Sequence, residues 1–304
     1  MATCPICAAP LPPASISSPD RGNATPGRFE VAVCVECGAG VTLPLVGPGE
    51  LAAFYPSGYG SHNQPRQPVV ALISRVIRAW QGFLARRSPP LLALRGRKPG
   101  RGMDVGAGRG DMAAMLAARG WRMTAIEPSP QAVTVMRERG IEALEGVLAT
   151  VALEEDSYDF ALFQHSLEHT LDPVEDLRVV HAALAPGGLV LVSVPNFGSW
   201  QRRRFRGSWF HLDLPRHRVH FSGPTLERAL RTAGFDEVVL TRSSSAVGLP
   251  ASLQYVVAGR CLFPDGLRLR VAAGLCVLCI PLTAALDRLL GEGDTLHAVA
   301  RRAA

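Results

Sequence analysis

The sequence is poor in charge and shows no visible secretion-type leader. Asp, Glu, Lys and Arg make up 19% of its 304 residues, fewer than usual. With 30 glycines and 24 prolines, that disfavours long salt-bridged surface helices and favours many turns. The start, MATCPICAAPLPP, shows neither a basic n-region nor an apolar h-region, so a cytoplasmic protein is expected. The uncharged stretch at residues 271–286, VAAGLCVLCIPLTAAL, is shorter than the roughly 20 residues a span needs, and Pro281 interrupts it. It reads as a buried helical hairpin or as an element touching a membrane surface, with Arg268, Arg270 and Arg288 suited to anionic lipid. No internal repeat is visible. Hydrophobic residues at 47% supply a sizeable core and argue against wholesale disorder. The net charge of +6, much of it in the run Arg202-Arg203-Arg204-Phe205-Arg206, is compatible with nucleic acid, anionic lipid or a phosphorylated substrate and selects none of them.

Four of the seven cysteines fall in two pairs, Cys4-Pro-Ile-Cys7 and Cys34-Val-Glu-Cys37, 26 residues apart. Each CxxC turn can aim two thiolates at one ion, and Gly38 eases the second turn. Two such knuckles close a tetrahedral set, the structural zinc pattern, so Cys4, Cys7, Cys34 and Cys37 are expected to hold structural zinc in a ribbon over residues 1–48. So short a segment has little core of its own.

Residues 49–99 read as a helical linker or lid, with VVALISRVIRAWQGFLARR at helical spacing and a stop at Ser88-Pro89-Pro90. From residue 100 to 245 strands and helices alternate. GMDVG, RMTAIE, Ile141 to Leu144, YDFALFQ, LVLVSVPN and DEVVLTRS read as strands. The helices between them include SPQAVTVMRERG, with Ser129 as N-cap and Gly140 as terminator, and FSGPTLERALRTAGF with a capped start. The implied fold is α/β, a doubly wound Rossmann-like sheet of seven strands. The last strand, in residues 293–304, is antiparallel, and residues 246–292 form an apolar helical insertion before it.

Asp104-Val-Gly106-Ala107-Gly108-Arg-Gly110 ends the first of these strands and opens a helix. Glycines there let the backbone turn sharply and approach a ligand closely. The carboxylate precedes the glycines, where it can accept from an ammonium. Glu127, ending the second strand, can accept from the hydroxyl pair of a ribose. Together these fit an adenosine bearing an amino-acid tail, without a diphosphate.

On MDVGAGRGDMAAMLAARG, AIEPSPQAV, SYDFALFQHSLEHTLDPVEDLRVVHAALAPGGLVLVSVPN and FSGPTLERALRTAGF, about residues 100–240, the chain resembles class I S-adenosylmethionine (SAM)-dependent methyltransferases. Its flavour is that of the ubiquinone-methyltransferase-like small-molecule group, including members with a zinc-ribbon front. The resemblance implies SAM as cofactor. Gly106, Ala107, Gly108 and Gly110 would line its methionine and ribose side, and Asp104 would support that loop and the amino group. Glu127 would bind the ribose and Pro128 or Ser129 would flank the adenine. Gln164, His165 and Ser166 would lie near the sulfonium. His169 would pin the strand-four loop or cap the next helix. Many relatives carry an acidic residue after the glycine that follows strand three. Here Gly146 is followed by Val147, leaving backbone or apolar contact to adenine.

WFHLDLPRHRVHFS, at residues 209–222, lies beyond strand five on the side of the sheet where doubly wound folds bind ligands. His211, His217 and His220 are therefore candidates for base catalysis or acceptor orientation. The competing reading is a loop whose polar groups bond one another. The expected function is methyl transfer to a small molecule, O-directed, with a sugar, isoprenoid or lipid-linked cell-surface precursor as acceptor and peripheral membrane contact through residues 246–292. The alternatives are an RNA or other nucleic-acid methyltransferase using the ribbon as a grip, and a non-catalytic SAM-binding protein. The nearly neutral ribbon, and the lack of an N/D-P-P-Y/F-type segment, argue against nucleic acid.

Overall fold

The computed structural model describes residues 2–21, 25–55, 89–245, 247–259 and 281–304. The helix expected over VVALISRVIRAWQGFLARR and most of the uncharged stretch from residue 271 lie outside them. Three short strands come first, β1 (Ile16–Pro19), β2 (Arg28–Val33) and β3 (Gly40–Leu43). The main sheet follows, with β4 (Arg101–Val105), β5 (Arg122–Glu127), β6 (Glu142–Glu145), β7 (Tyr158–Gln164) and β8 (Leu184–Pro195). After the two-residue β9 (Val219–His220) come β10 (Asp236–Ser243) and β11 (Thr295–Arg301).

The seven-stranded sheet has the order β10-β11-β8-β7-β4-β5-β6. Strands β4 to β8 pair parallel, and β11 runs antiparallel to both β8 and β10. The central strands β7 and β8 are almost continuously buried, because helices cover both faces of a parallel sheet. Strand β10, at the edge, is largely exposed or half-buried.

Local chemistry fixes the helix starts. Ser129 caps Pro130–Glu138 by accepting from the N–H of Ala132, with Pro130 in the first turn. Asp172 caps Pro173–Ala183 by accepting from the N–H of Glu175 at 3.0 Å. The expected side-chain cap on Gly223–Thr232 is absent: Ser222 stands at the N-cap position without bonding a helix N–H. Its hydroxyl bonds Thr225 Oγ1 at 2.8 Å, and Thr225 donates to the carbonyl of Cys37 at 2.9 Å. That pair ties the helix to the N-terminal segment.

The N-terminal strands do not form a sheet alone. Their order is β1-β2-β3-β9, all antiparallel, with Gly40 opposite His220 and Val41 opposite Val219. The fourth strand thus comes from WFHLDLPRHRVHFS. An isolated bridge from Asn196 to Phe221 links the same stretch to the end of β8. Cys4, Ile6 and Cys34 belong to one buried cluster with Val192, Val219 and Phe221. Opposite Gly40 the fit is close: a Cβ there would stand 2.8 Å from the Phe197 ring and 3.0 Å from His220 Cβ.

Between β10 and β11 the chain forms the helix Gly248–Ala258 and is helical again at 281–290. Trp200 Nε1 donates to Asp287 Oδ1 at 2.5 Å, and the N–H of Phe210 donates to Ser252 Oγ at 2.9 Å, anchoring both pieces. Among the described residues no helix is long and apolar enough to cross a membrane.

Candidate active site

The first half of the site lies where β4 and β5 end. Gly106, Gly108 and Gly110 all have left-handed backbones, with φ of 71°, 55° and 72°, which glycine adopts without penalty. Space excludes side chains as well. A Cβ on Gly106 would fall 2.5 Å from Ser166 Cβ, and one on Gly110 would fall 2.7 Å from Met136. The N–H of Gly108 donates to Glu127 Oε2 at 2.8 Å, and the N–H of Ser129 donates to Oε1 at 3.0 Å. Glu127 therefore stands under the turn with Pro128 beside it. Asp104 is buried, and its Oδ2 has no hydrogen-bond partner among the described residues. Burial raises its carboxyl to about 7; the N–H of Ala113 opposes this and the Glu127 charge adds to it. A buried carboxylate with one bare oxygen, beside a glycine turn that admits close approach, matches what the ammonium end of a nucleoside with an amino-acid tail requires.

The second half lies where β7 ends. Gln164 closes the strand, and His165 follows with φ of 54°, a conformation uncommon for a side-chain-bearing residue and typical of functional turns. Its N–H donates to Ser193 O at 2.8 Å, and its half-exposed ring stands 3.5 Å from Glu168 Oε1. Ser166 donates to Val105 O, locking the turn to β4. Glu168 is 1% exposed, and neither carboxylate oxygen has a hydrogen-bond partner among the described residues. His169 Nδ1 bonds the hydroxyl of Tyr55 at 2.7 Å, and its ring meets His217 edge-on at 4.6 Å. Burial raises the Tyr55 hydroxyl well above its ordinary range. Asp213, Glu168 and Glu127 act in the same direction and Arg216 opposes them. Tyr55 thus senses both halves of the site.

WFHLDLPRHRVHFS distributes its polar groups among separate tasks. Arg216 is fully buried and forks between Asp20, at 2.8 and 2.9 Å, and Asp213, at 2.6 and 3.1 Å. Arg218 donates to the carbonyls of Thr42, Pro44 and Pro215. His217 turns toward the site. Its Nδ1 bonds His211 O at 2.9 Å, and its Nε2 lies 3.9 Å from both Glu168 Oε1 and Asp213 Oδ2. Burial, and then the neighbouring His169, push its pKa well below the usual imidazole range. His220 faces the N-terminal sheet, bonded to Thr42 Oγ1 at 3.0 Å and stacked on Phe197, and burial followed by Arg218 lowers it to about 3. His211 points to the residues that flank the insertion, its Nε2 3.2 Å from Asp294 Oδ2 and from Ser245 Oγ. Of the three, His217 joins the polar cluster at the end of β7, and the other two serve different contacts.

The arginine run is engaged too. Arg202 donates to Phe197 O at 3.0 Å and lies over that ring, and Arg203 pairs with Glu292.

The four cysteines converge. Cys4 Sγ is 3.6 Å from Cys37 Sγ, and Cys7 Sγ is 3.5 Å from Cys34 Sγ. Disulfides are excluded at those separations. Bonds of about 2.3 Å to a tetrahedral zinc put sulfurs about 3.8 Å apart, so the set fits that ion. Both knuckles use the same backbone closure, with Ala8 N–H to Cys4 O and Gly38 N–H to Cys34 O, each at 2.9 Å.

Sequence comparison adds the lineage. The family described as "Methyltransferase domain" matches residues 72–240. A ubiquinone biosynthesis O-methyltransferase of Methylocella silvestris is 35% identical over 107 residues, 31% of this chain and 39% of that protein. One from Xylella fastidiosa is 28% identical over 151 residues, 47% of this chain and 57% of that protein. The chain therefore spans about half the length of these curated relatives. Among solved structures, the phosphoethanolamine N-methyltransferase 2 of Haemonchus contortus, with phosphomonomethylethanolamine and S-adenosylhomocysteine bound, superposes with a TM-score of 0.50. It is 17% identical, over 74% of this chain and 53% of that one, and the likeness is one of fold.

Proposed function

This chain belongs to the methyltransferase family, and on that premise we propose that it methylates a hydroxyl of a small-molecule acceptor seated against His165, Glu168, His169 and His217. The observation carrying this reading is the buried Glu168 carboxylate, which accepts no hydrogen bond among the described residues and stands between the His165 and His217 imidazoles, two residues beyond Ser166, which packs on the glycine loop. A pocket lined by bare acceptors suits a group that brings a proton, as a hydroxyl does. The names of the ubiquinone-biosynthesis relatives favour oxygen over nitrogen or carbon.

SAM bound across the glycine turn supplies an activated methyl: a bond forms from the acceptor oxygen to the methyl carbon, and the carbon–sulfur bond breaks with its electrons left on sulfur. Asp104 and the loop from Gly106 to Gly110 would hold the amino-acid end, and Glu127 the ribose hydroxyls. Pro128 would flank the adenine, and Gln164 and His165 would face the reacting centre. The protein's share is alignment and exclusion of water. Glu168 and His217 orient the hydroxyl and favour loss of its proton, and half-exposed His165 offers that proton a path to solvent. The cysteine knuckles would hold structural zinc, which would fix β3 and through it the strand that follows His217.

The test is to incubate the full chain with SAM carrying an isotopically labelled methyl and a small-molecule extract, and to identify the labelled product by mass and carbon NMR. Label in an ether methyl supports the reading. Label confined to RNA, protein, or an N- or C-methyl would contradict it. Glu168→Gln and His217→Ala should lower kcat by roughly 10²–10⁴, with SAM affinity unchanged.

A further inference from the structure

We infer that Glu168, His169 and His217 form a three-ligand site for a divalent first-row transition cation. One ligand atom from each lies within 4.8 Å of the other two. Second contacts set the tautomers. A carbonyl only accepts, so His217 Nδ1, bonded to His211 O, carries the ring proton, and the lone pair is on Nε2. Nε2 then faces Glu168 Oε1 at 3.9 Å; the half-exposed His165 ring stands 3.5 Å from the same oxygen, and neither carboxylate oxygen has a hydrogen-bond partner among the described residues. Asp213 Oδ2 is also 3.9 Å from Nε2, but Asp213 is already paired with Arg216. Two acceptors turned toward each other inside the protein repel unless something positive sits between them. His169 Nδ1 bonds the Tyr55 hydroxyl at 2.7 Å, and where that hydroxyl accepts, the lone pair of the ring is on Nε2. Imidazoles whose other nitrogen is fixed by a carbonyl or hydroxyl are how proteins present metal ligands.

The donor set selects the ion class. Two imidazoles and one carboxylate suit zinc, iron, manganese, cobalt or nickel and not the all-oxygen preference of magnesium or calcium. Bonds of about 2.0–2.2 Å bring ligand atoms to about 3.5 Å or less, so the three close by about an ångström, a movement within reach of the Glu168 carboxylate. Three protein ligands leave coordination positions open. The site lies two residues from Ser166, which packs on Gly106, so an acceptor oxygen on the cation is near the methyl donor. Coordination would acidify that hydroxyl. Its proton leaves to water, its oxygen takes the methyl carbon, and sulfur keeps the electrons of the broken bond. This role, unlike the site itself, rests on the methyl-transfer reading above. The site is separate from the four thiolates.

The full chain, as wild type, Glu168→Gln and His217→Ala, is dialysed to equilibrium against micromolar zinc and its metal content measured. The site predicts that each variant holds one zinc fewer per chain than wild type. Cobalt loading should leave thiolate charge-transfer absorption from the cysteine site unchanged in both variants. Glu168→Gln is isosteric and decides the matter should His217→Ala disturb its loop. Equal metal content in wild type and Glu168→Gln would overturn the inference. Calorimetric SAM binding on the same samples keeps the two readings apart. Binding without a second metal removes only the cation site, and a second metal without SAM binding removes only the methyl-transfer reading.

Discussion

At the scale of single residues, burial sets unusual proton equilibria with measurable consequences. Asp104 has a folded carboxyl raised from 3.8 to about 7. Between those values the folded chain binds more protons than the unfolded one, so stability falls as pH rises from about 4 to 7 and is level above that. The span corresponds to something on the order of 4 kcal/mol. His220 and His297, lowered to about 3 and about 4 by burial, act oppositely: their contribution is present above about 6.5 and is lost as pH falls. The difference between wild type and Asp104→Asn isolates the first effect. In urea unfolding across pH 4–8 the variant should gain relative stability as pH rises, and a constant difference would refute the assignment. The positions of Asp104, Gly106, Gly108, Gly110 and Glu127 at strand ends were legible in the sequence, because each sits at a local strand-to-loop transition. Tyr55 was not, since its contact with His169 joins residues 114 apart with no local signature. The Glu in S-L-E-H was visible, but only the fold shows its two oxygens buried without a partner.

Among elements, the informative one is β9. Its two residues pair with β3, nearly 180 residues earlier, and Arg216 and Arg218 stitch the same loop to Asp20, Thr42 and Pro44. The alternation of strands and helices from residue 100 was readable from periodicity, whereas long-range pairing of two-residue segments leaves no pattern to read. The ribbon and the His217 loop should therefore loosen together. With zinc held by the four cysteines as proposed, chelating it should speed amide hydrogen exchange over residues 209–222 as well as 28–43, and unchanged exchange at 209–222 would sever that link. Gly40→Val offers an independent check. Its side chain would meet Phe197 and His220, so a loss of about 1–3 kcal/mol in stability is expected, with protection lost on both strands.

For the whole molecule, the central claim is a division of labour across the strand ends: β4 and β5 present the cofactor contacts, β7 and the loop before β9 present the acceptor contacts. The fold class was legible because the glycine loop, the carboxylate that ends β5 and the alternation of strands and helices all agree. The placement of the histidines was not, because three residues of one type within ten positions look alike until their partners are known. Calorimetric titration of SAM into wild type, Glu127→Ala and Glu168→Gln tests the division most directly. One SAM per chain is predicted for wild type, affinity about 10- to 100-fold weaker in Glu127→Ala through lost hydrogen bonds to a charged group, and wild-type affinity in Glu168→Gln. Unchanged binding in Glu127→Ala, or its loss in Glu168→Gln, would contradict the account.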